Sequence, residues 1–356
     1  MQIRDLVRED IRNLVPYEPH PYADVIKLDA NENPHAFPAP VIKDIFETIN
    51  GDVFTRYPDP LGEALKGEIG KMTGVSPENI ILGNGSDELI QLLLQTFGGP
   101  GRRVVIPVPT FAMYKIHGQI TGTEPVEIPR NSDFSLDEEK FIAEMQVPGA
   151  TTAFIATPNN PTGTIVPEEQ VRRLLERVDS LVIVDEAYID FGGRSCLPLI
   201  REYPNLVVLR TFSKVALAGL RLGYLTADAA VVRELLKVKQ PYNVNAFSQA
   251  AARAVLKNWQ YFREQIEEIV AERERLGAEL GKIKGIEVFP SKANFVLFRV
   301  PVPAAELHQG LLENGVLVRK SPGRTHGLEQ CLRVTVGTRQ ENDFFLEKLT
   351  KLIPIS

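Results

Sequence analysis

The segment Thr211-Phe212-Ser213-Lys214-Val215-Ala216-Leu217-Ala218-Gly219-Leu220-Arg221 follows the apolar run Leu206-Val207-Val208-Leu209. Lysines rarely end a buried strand unless something uses them, because the ammonium loses its hydration there. A lysine amine condenses with an aldehyde cofactor to form a Schiff base. The alternative is a surface lysine at a strand-to-loop turn. Three other apolar runs end in residues of matching character. Ile80-Ile81-Leu82 leads into Gly83-Asn84-Gly85-Ser86-Asp87-Glu88, where glycines before a helix let backbone amides converge on an anion. Without a third glycine at Glu88 this is not a dinucleotide fingerprint, and Ser86 or Asp87 also reads as an ordinary helix N-cap. Ala153 to Ala156 leads into Thr157-Pro158-Asn159-Asn160-Pro161-Thr162-Gly163, either a plain turn or a site where an Asn amide donates to a ring oxygen. Leu181 to Val184 leads into Asp185-Glu186-Ala187-Tyr188. A carboxylate after four apolar residues is buried and needs a partner, for which a protonated ring nitrogen would serve; the alternative is an N-cap.

The elements that position these groups alternate. Strand-like runs at Ile80–Leu82, Val104–Ile106, Glu124–Ile128, Ala153–Ala156, Leu181–Val184 and Leu206–Leu209 are separated by helical stretches. Those helices read as Ser86–Phe97, Phe111–Gln119, Leu136–Met145 and Pro167–Val178, the last opened by a proline. Two more precede them, Val41–Ile49 and Leu61–Met72. This alternation predicts an α/β fold with a mostly parallel sheet between helices. Ligands in such sheets sit at the carboxyl ends of the strands, where all four clusters lie. From Ser248 to Leu280 helix formers dominate, and one long helix is expected to bridge two domains. Beyond it, strands Phe295–Phe298 and Leu332–Val336 with helices Ala304–Asn314 and Asn342–Leu352 predict a smaller α+β domain. The expected division is an N-terminal arm over 1–30, a large domain over 31–250 and a small one over 251–356. Prolines 16, 19, 21, 34, 38 and 40, interleaved with Tyr17 and Tyr22, keep the start of the chain extended, as an arm against another surface.

Composition narrows the function classes. The chain has 356 residues, 44% hydrophobic and 24% charged, with a formal net charge of -6. That supports a globular core, and no basic stripe points to nucleic acid. No apolar run is long enough to cross a bilayer, and the first residues lack the apolar core of a signal peptide. Two cysteines, Cys196 and Cys331, imply no disulfide framework, and the five histidines show no metal spacing. A soluble cytoplasmic protein is the expectation.

Taken in order, the Gly-Ser-Asp loop, Asn-Asn-Pro-Thr-Gly, Asp-Glu-Ala-Tyr and Ser-Lys with a following Arg resemble the fold-type I pyridoxal-phosphate enzymes, aminotransferase subgroup, over essentially the whole chain. Leu28-Asp29-Ala30-Asn31-Glu32-Asn33-Pro34, Arg56-Tyr57-Pro58-Asp59-Pro60 and Leu332-Arg333-Val334-Thr335-Val336-Gly337-Thr338 resemble the histidinol-phosphate aminotransferase group, and also the related threonine-phosphate decarboxylases. The resemblance implies a seven-stranded, mostly parallel sheet and pyridoxal 5'-phosphate as cofactor. It implies that Lys214 holds the cofactor aldehyde and, once freed, is the base for the proton shift. Asp185 would pair with the pyridine nitrogen, which makes the ring an electron sink. Tyr188 and Asn160 would bond the ring's 3-oxygen. Gly85, Ser86, Asp87, Thr211, Ser213 and Arg221 would hold the phosphate, and Phe111 would stack on the ring. Tyr57 would reach the neighbouring subunit's phosphate, so a homodimer with composite sites is implied. Arg221 stands seven residues after Lys214, where many members of the family have eight, so this loop is one residue shorter.

On the substrate side the resemblance assigns the anion to Arg333. Arg319 is a second cation suited to a phosphate, the Tyr17 phenol a further donor, and Asn33 a bordering residue. The reaction implied is reversible transamination between L-histidinol phosphate and 2-oxoglutarate, giving imidazole acetol phosphate and glutamate. The alternatives on the same fold are threonine-phosphate decarboxylase and aromatic amino-acid aminotransferase. A pyridoxal-binding regulator is a reading of another class, disfavoured because no basic DNA-binding module is evident.

Overall fold

Runs rich in valine, isoleucine and leucine become strands where both of their faces can be covered. The computed structural model describes residues 2–12, 14, 24–321 and 326–353. In chain order its strands are β1 (Ile26–Leu28), β2 (Ile80–Gly83), β3 (Arg103–Val108), β4 (Glu124–Pro129), β5 (Ala150–Ala156), β6 (Leu181–Asp185), β7 (Leu206–Thr211) and β8 (Gly223–Ala227), followed by β9 (Glu287–Val288), β10 (Phe295–Arg299), β11 (Val316–Lys320) and β12 (Cys331–Thr335). The first sheet has seven strands in the order β2-β8-β7-β6-β5-β3-β4, and only β8 runs against the others. This is the α/β fold that the alternating pattern implies. β4 lies outside β3 while β5, β6 and β7 lie on its other side, so the order reverses between β3 and β5. A crevice opens at such a reversal, outside the carboxyl ends of the strands.

Strand β6 shows why this sheet forms. Val182, Ile183 and Val184 are all 0% exposed. Val182 and Val184 pack with Leu174 and Leu175 on one face; Ile183 packs with Val104, Phe154 and Val207 on the other. Covering each such side chain stabilises the fold by about 2 kcal/mol. The strand then delivers Asp185 to the rim with its backbone already fixed. Helices lie within a turn of their expected positions, including Gly85–Phe97 after β2 and Met113–Thr121 after β3.

The second sheet has five strands in the order β1-β11-β12-β10-β9. β1 pairs parallel with β11, nearly three hundred residues away in sequence. The long helix expected over Ser248–Leu280 is instead two helices, Ala246–Lys257 and Trp259–Gly281. Asn258 separates them, and its amide donates to Asp44 (2.8 Å) and to the Ala254 carbonyl (2.9 Å). Phe262, Ile266, Ile269, Leu276 and Leu280 then form a stripe of helical spacing in the core, and the second helix packs on β9 and β10. The periodicity gives no sign of strand β8; Gly223-Tyr224-Leu225-Thr226-Ala227 is short and begins two residues after Arg221.

Candidate active site

Six of the seven strands of the first sheet point their carboxyl ends to one edge, and the loops after five of them surround a single cleft. Ser86, Asp87, Phe111, Asn160, Asp185, Tyr188, Thr211, Ser213, Lys214 and Arg221 all line it. The groups therefore come from β2, β3, β5, β6 and β7, each placed by a strand that the core holds rigid.

One end of the cleft is built for an anion. The helix Gly85–Phe97 aims its N-terminus there, with its first amides and the positive end of its dipole. Gly85 has φ +77°, and a Cβ on it would stand 2.8 Å from Arg221 Nη2, so glycine is required for that arginine to approach. Gly223 does the same for β8, since a Cβ there would lie 2.8 Å from the Gly85 carbonyl carbon. Arg221 turns back with φ +50° and donates to Asp87 Oδ2 at 3.0 Å. Its other terminal nitrogen lies 3.5 Å from Ser213 Oγ, which is itself 2.9 Å from the Thr211 hydroxyl. The one-residue-shorter loop after Lys214 thus still brings Arg221 to this end.

At the middle of the cleft, Asp185 is 4% exposed. Its carboxylate accepts from the Tyr114 hydroxyl at 2.6 Å and from the Ala187 amide at 3.0 Å. Burial pushes its pKa up to about 6, against the opposing pull of those two donors. Burial also holds the Tyr114 phenol well above its ordinary pKa, with the Asp185 charge adding to it, so Tyr114 is a permanent donor. Tyr114 stacks on Phe154 (4.7 Å between centroids) and meets Phe111 edge-on (5.7 Å). Lys214 Nζ donates to the Ala30 carbonyl at 3.2 Å and lies 5.8 Å from the centre of the Tyr188 ring.

The other end takes its cation from the second sheet. Arg333, on β12, is 7% exposed and reaches across to Asn160 Oδ1 at 2.5 Å. It also donates to the Asp29 carbonyl and lies over the Phe295 ring. Arg319 is paired directly opposite Arg333 in the β11–β12 register, so both side chains project from the same face. Asn33 lies outside the cleft: its amide donates to the Val215 carbonyl (2.5 Å) and to Gln265 (2.9 Å), bracing the loop after Lys214. Tyr57 also lies outside it, 82% exposed and stacked on Tyr242 at 4.6 Å. Tyr17 falls outside the described residues.

Several contributors carry no signal in the order of motifs. Tyr114, which bonds Asp185, sits about one helical turn beyond Phe111, and only the packing of that helix on the sheet shows where it points. Glu186 is 1% exposed and accepts two bonds from Arg210 (3.0 and 2.9 Å), one from Ser195 (2.7 Å) and one from the Cys196 amide (2.5 Å). It clamps the end of β6 to β7 behind Asp185. Asn159, 0% exposed, bonds Thr110, Thr162 and the Pro109 carbonyl, and so ties the loops after β3 and β5 together.

This donor set suits pyridoxal phosphate. A buried carboxylate whose ionisation is penalised needs a cation opposite, and a ring N–H provides one. The anion end offers helix amides, two hydroxyls and an arginine. The amine of Lys214 lies between, and Phe111 offers a flat face. The chain matches the aminotransferase class I and II family over residues 23–349. It is 48% identical over 347 residues to histidinol-phosphate aminotransferase 1 of Carboxydothermus hydrogenoformans, covering 97% of this chain and 98% of that protein. In structure it is similar to the histidinol-phosphate aminotransferase from Clostridium acetobutylicum, with a TM-score of 0.85 at 29% identity, covering 92% of this chain and 99% of that one. It is also similar to the histidinol-phosphate aminotransferase from Sinorhizobium meliloti solved in complex with pyridoxal-5'-phosphate, with a TM-score of 0.84 at 27% identity over 91% of this chain and 90% of that one. The chain belongs to the class I and II aminotransferase family, within the histidinol-phosphate aminotransferases.

Proposed function

We propose that this chain catalyses reversible amino transfer between L-histidinol phosphate and 2-oxoglutarate, giving imidazole acetol phosphate and glutamate, with pyridoxal 5'-phosphate as cofactor. The observation that carries this reading is the two-ended cleft. One end is an anion cup beside a lysine and a buried carboxylate; beside the other, Arg333 of the second sheet bonds Asn160 of the lining, with Arg319 opposite it in the register.

When bound, the cofactor supplies an electron-withdrawing ring that delocalises negative charge from the substrate's α-carbon. Lys214 Nζ anchors it and, once displaced by the substrate amine, moves the proton at the α-carbon. Asp185 keeps the ring nitrogen protonated. Asn160 accepts from Arg333 through Oδ1, which leaves its Nδ2 to donate to the ring's 3-oxygen alongside Tyr188. The amides of Ser86 and Asp87, the hydroxyls of Thr211 and Ser213, and Arg221 hold the phosphate. Gly85 leaves room for that arginine.

Arg333 and Arg319 bind the substrate's own anion. Like charges placed directly opposite on neighbouring strands repel, and an anion lying between them relieves that repulsion. A phosphate dianion suits two cations, and glutamate's distal carboxylate suits the fork of one. In this reading residues 31–250 carry the cofactor and residues 251–356 carry the two arginines. Tyr57, exposed in the single chain, serves the cofactor phosphate of the partner in a homodimer.

A half-reaction panel tests this. The yellow enzyme is mixed separately with histidinol phosphate, glutamate, phenylalanine and threonine phosphate, and loss of the visible band is followed. Fast loss with the first two is expected. Release of carbon dioxide from threonine phosphate would make the protein a lyase instead, and phenylalanine reacting as fast as histidinol phosphate would make it an aromatic aminotransferase.

A further inference from the structure

The segment Asp29-Ala30-Asn31 touches three working side chains with three consecutive residues. Arg333 donates to the Asp29 carbonyl, Lys214 to the Ala30 carbonyl, and Asn31 Nδ2 donates to the Tyr188 hydroxyl at 3.0 Å. Asn31 is 1% exposed and sits in the left-handed region at φ +56°, a conformation that asparagine tolerates better than most residues.

The direction of that last bond follows from its neighbours. The Asn31 N–H donates to Thr335 Oγ1 at 3.0 Å, and the Thr335 hydroxyl then donates to Asn31 Oδ1 at 3.1 Å. Asn294 Nδ2 donates to the Asn31 carbonyl at 3.0 Å. With Oδ1 engaged as an acceptor, the amide presents Nδ2 to Tyr188. A phenol has one proton; an oxygen that accepts from Asn31 directs that proton elsewhere. The Tyr188 ring is held edge-on by Phe295 at 5.2 Å, so its hydroxyl cannot swing away, and the open direction is the cleft. Thr335 stands two residues after Arg333 on β12, on the same side of that strand.

We propose that Asn31 is a positioning residue. It makes the Tyr188 hydroxyl a donor aimed at the cofactor's 3-oxygen and, through Thr335, ties that hydroxyl to the strand that carries Arg333. The inference rests on the cofactor assignment made under Proposed function. A hydrogen bond donated to the 3-oxygen draws electron density from the ring and weakens the hold of the Lys214 nitrogen on its proton. Loss of that bond raises the pH at which the visible absorption of the bound cofactor changes.

The test is a pH titration of that absorption in four proteins: wild type, Asn31→Gly, Asn31→Asp and Tyr188→Phe. Glycine keeps the left-handed backbone and leaves the tyrosine proton undirected; aspartate keeps the size and puts an acceptor where a donor stood. The transition is expected to move up by about one unit in Tyr188→Phe and Asn31→Asp, the size of one hydrogen bond to a charged acceptor. Asn31→Gly is expected to move it the same way by less. A transition unmoved in both Asn31 variants, while Tyr188→Phe moves it, overturns the proposal and leaves the cofactor assignment standing. A transition unmoved in Tyr188→Phe overturns the proposal together with the placement of the Tyr188 hydroxyl at the 3-oxygen. A shift in Asn31→Gly without one in Asn31→Asp means that Asn31 acts by packing alone, and also overturns the proposal.

Discussion

At the cofactor end of the cleft the polar groups stand on loops at the carboxyl edge of one sheet, although Asp185 takes its Tyr114 partner from 71 residues away and Lys214 its Ala30 partner from 184. At the substrate end nothing is local. Arg333 meets Asn160 across 173 residues and Asp29 across 304. The first end is a fixed template whose strands are buried on both faces. The second is assembled only when the short strand β1 has paired with β11 and that sheet has docked. In the proposed reaction, chemistry that tolerates little displacement would sit on the first, and recognition, which must accept two different substrates in turn, on the second. Failures at the first end should therefore abolish the reaction, and failures at the second should weaken substrate binding.

The largest effect is expected from Lys214→Ala. It would remove both the proposed covalent anchor and the proposed base, so turnover should fall by about 10⁴-fold or more, and dialysis should strip the cofactor. Wild-type turnover in that variant would falsify the assignment.

Asp185→Asn should lower the rate by about 10²- to 10³-fold, the range for losing one preorganised electrostatic partner. It also carries a signed stability prediction. In the cofactor-free protein Asp185 titrates near 6 instead of 3.8, so the folded state holds its proton more tightly than the unfolded chain. Its contribution is fully present below the unfolded pKa and is lost as pH rises through about 6. The loss is about 2 kcal/mol between pH 4 and 7. Cofactor-free Asp185→Asn should therefore gain on wild type as pH rises across that window, measured by denaturant unfolding. A constant difference between the two across that window would show that the carboxylate is not penalised as described.

At the opposite end, Arg333→Ala should raise KM for both substrates by about 10²-fold, as expected for removing a charged hydrogen-bonding fork. An increase confined to one substrate would mean that the two anions use different cations. Arg319→Ala should cost about tenfold, and only for the phosphate-bearing substrate. Equal losses for glutamate would place both anions between the two arginines.

The smallest effect belongs to Tyr57→Phe, which would remove the hydrogen bond proposed across the dimer, worth about 1 kcal/mol, and should weaken cofactor retention severalfold. Mixing Tyr57→Phe with Lys214→Ala protomers tests whether the hydroxyl crosses between subunits. In such a mixed dimer the intact Lys214 belongs to the protomer that lacks the hydroxyl. If the hydroxyl crosses, that lysine site receives the partner subunit's Tyr57 and retains cofactor as wild type does. Retention there as weak as in the Tyr57→Phe homodimer would rule out the crossing.

What can be read from the chain alone follows the same divide. The run of four apolar residues before Asp185 announces a buried carboxylate, and Asp185 is buried at the end of β6. Gly83-Asn84-Gly85 announces an anion cup, and the cup is where Arg221 closes on Gly85. These are short-range signals, because a strand that must be apolar on both faces and a loop that must turn into a helix each constrain consecutive residues. Residue types alone leave the single long helix at Ser248–Leu280 unbroken, since Asn258 is tolerated in a helix and only its bond to Asp44 makes it a boundary. β8 is hidden for a similar reason: its antiparallel pairing with β2 and β7 comes from neighbours distant in sequence. Tyr114, Glu186 and Asn31 have no local pattern at all. Sequence alone determined which residue types stand at each strand end, because burial and turn geometry act over a few residues. Tertiary structure alone decided which of them face one another, because a buried polar group finds its partner wherever packing brings one, at any separation along the chain.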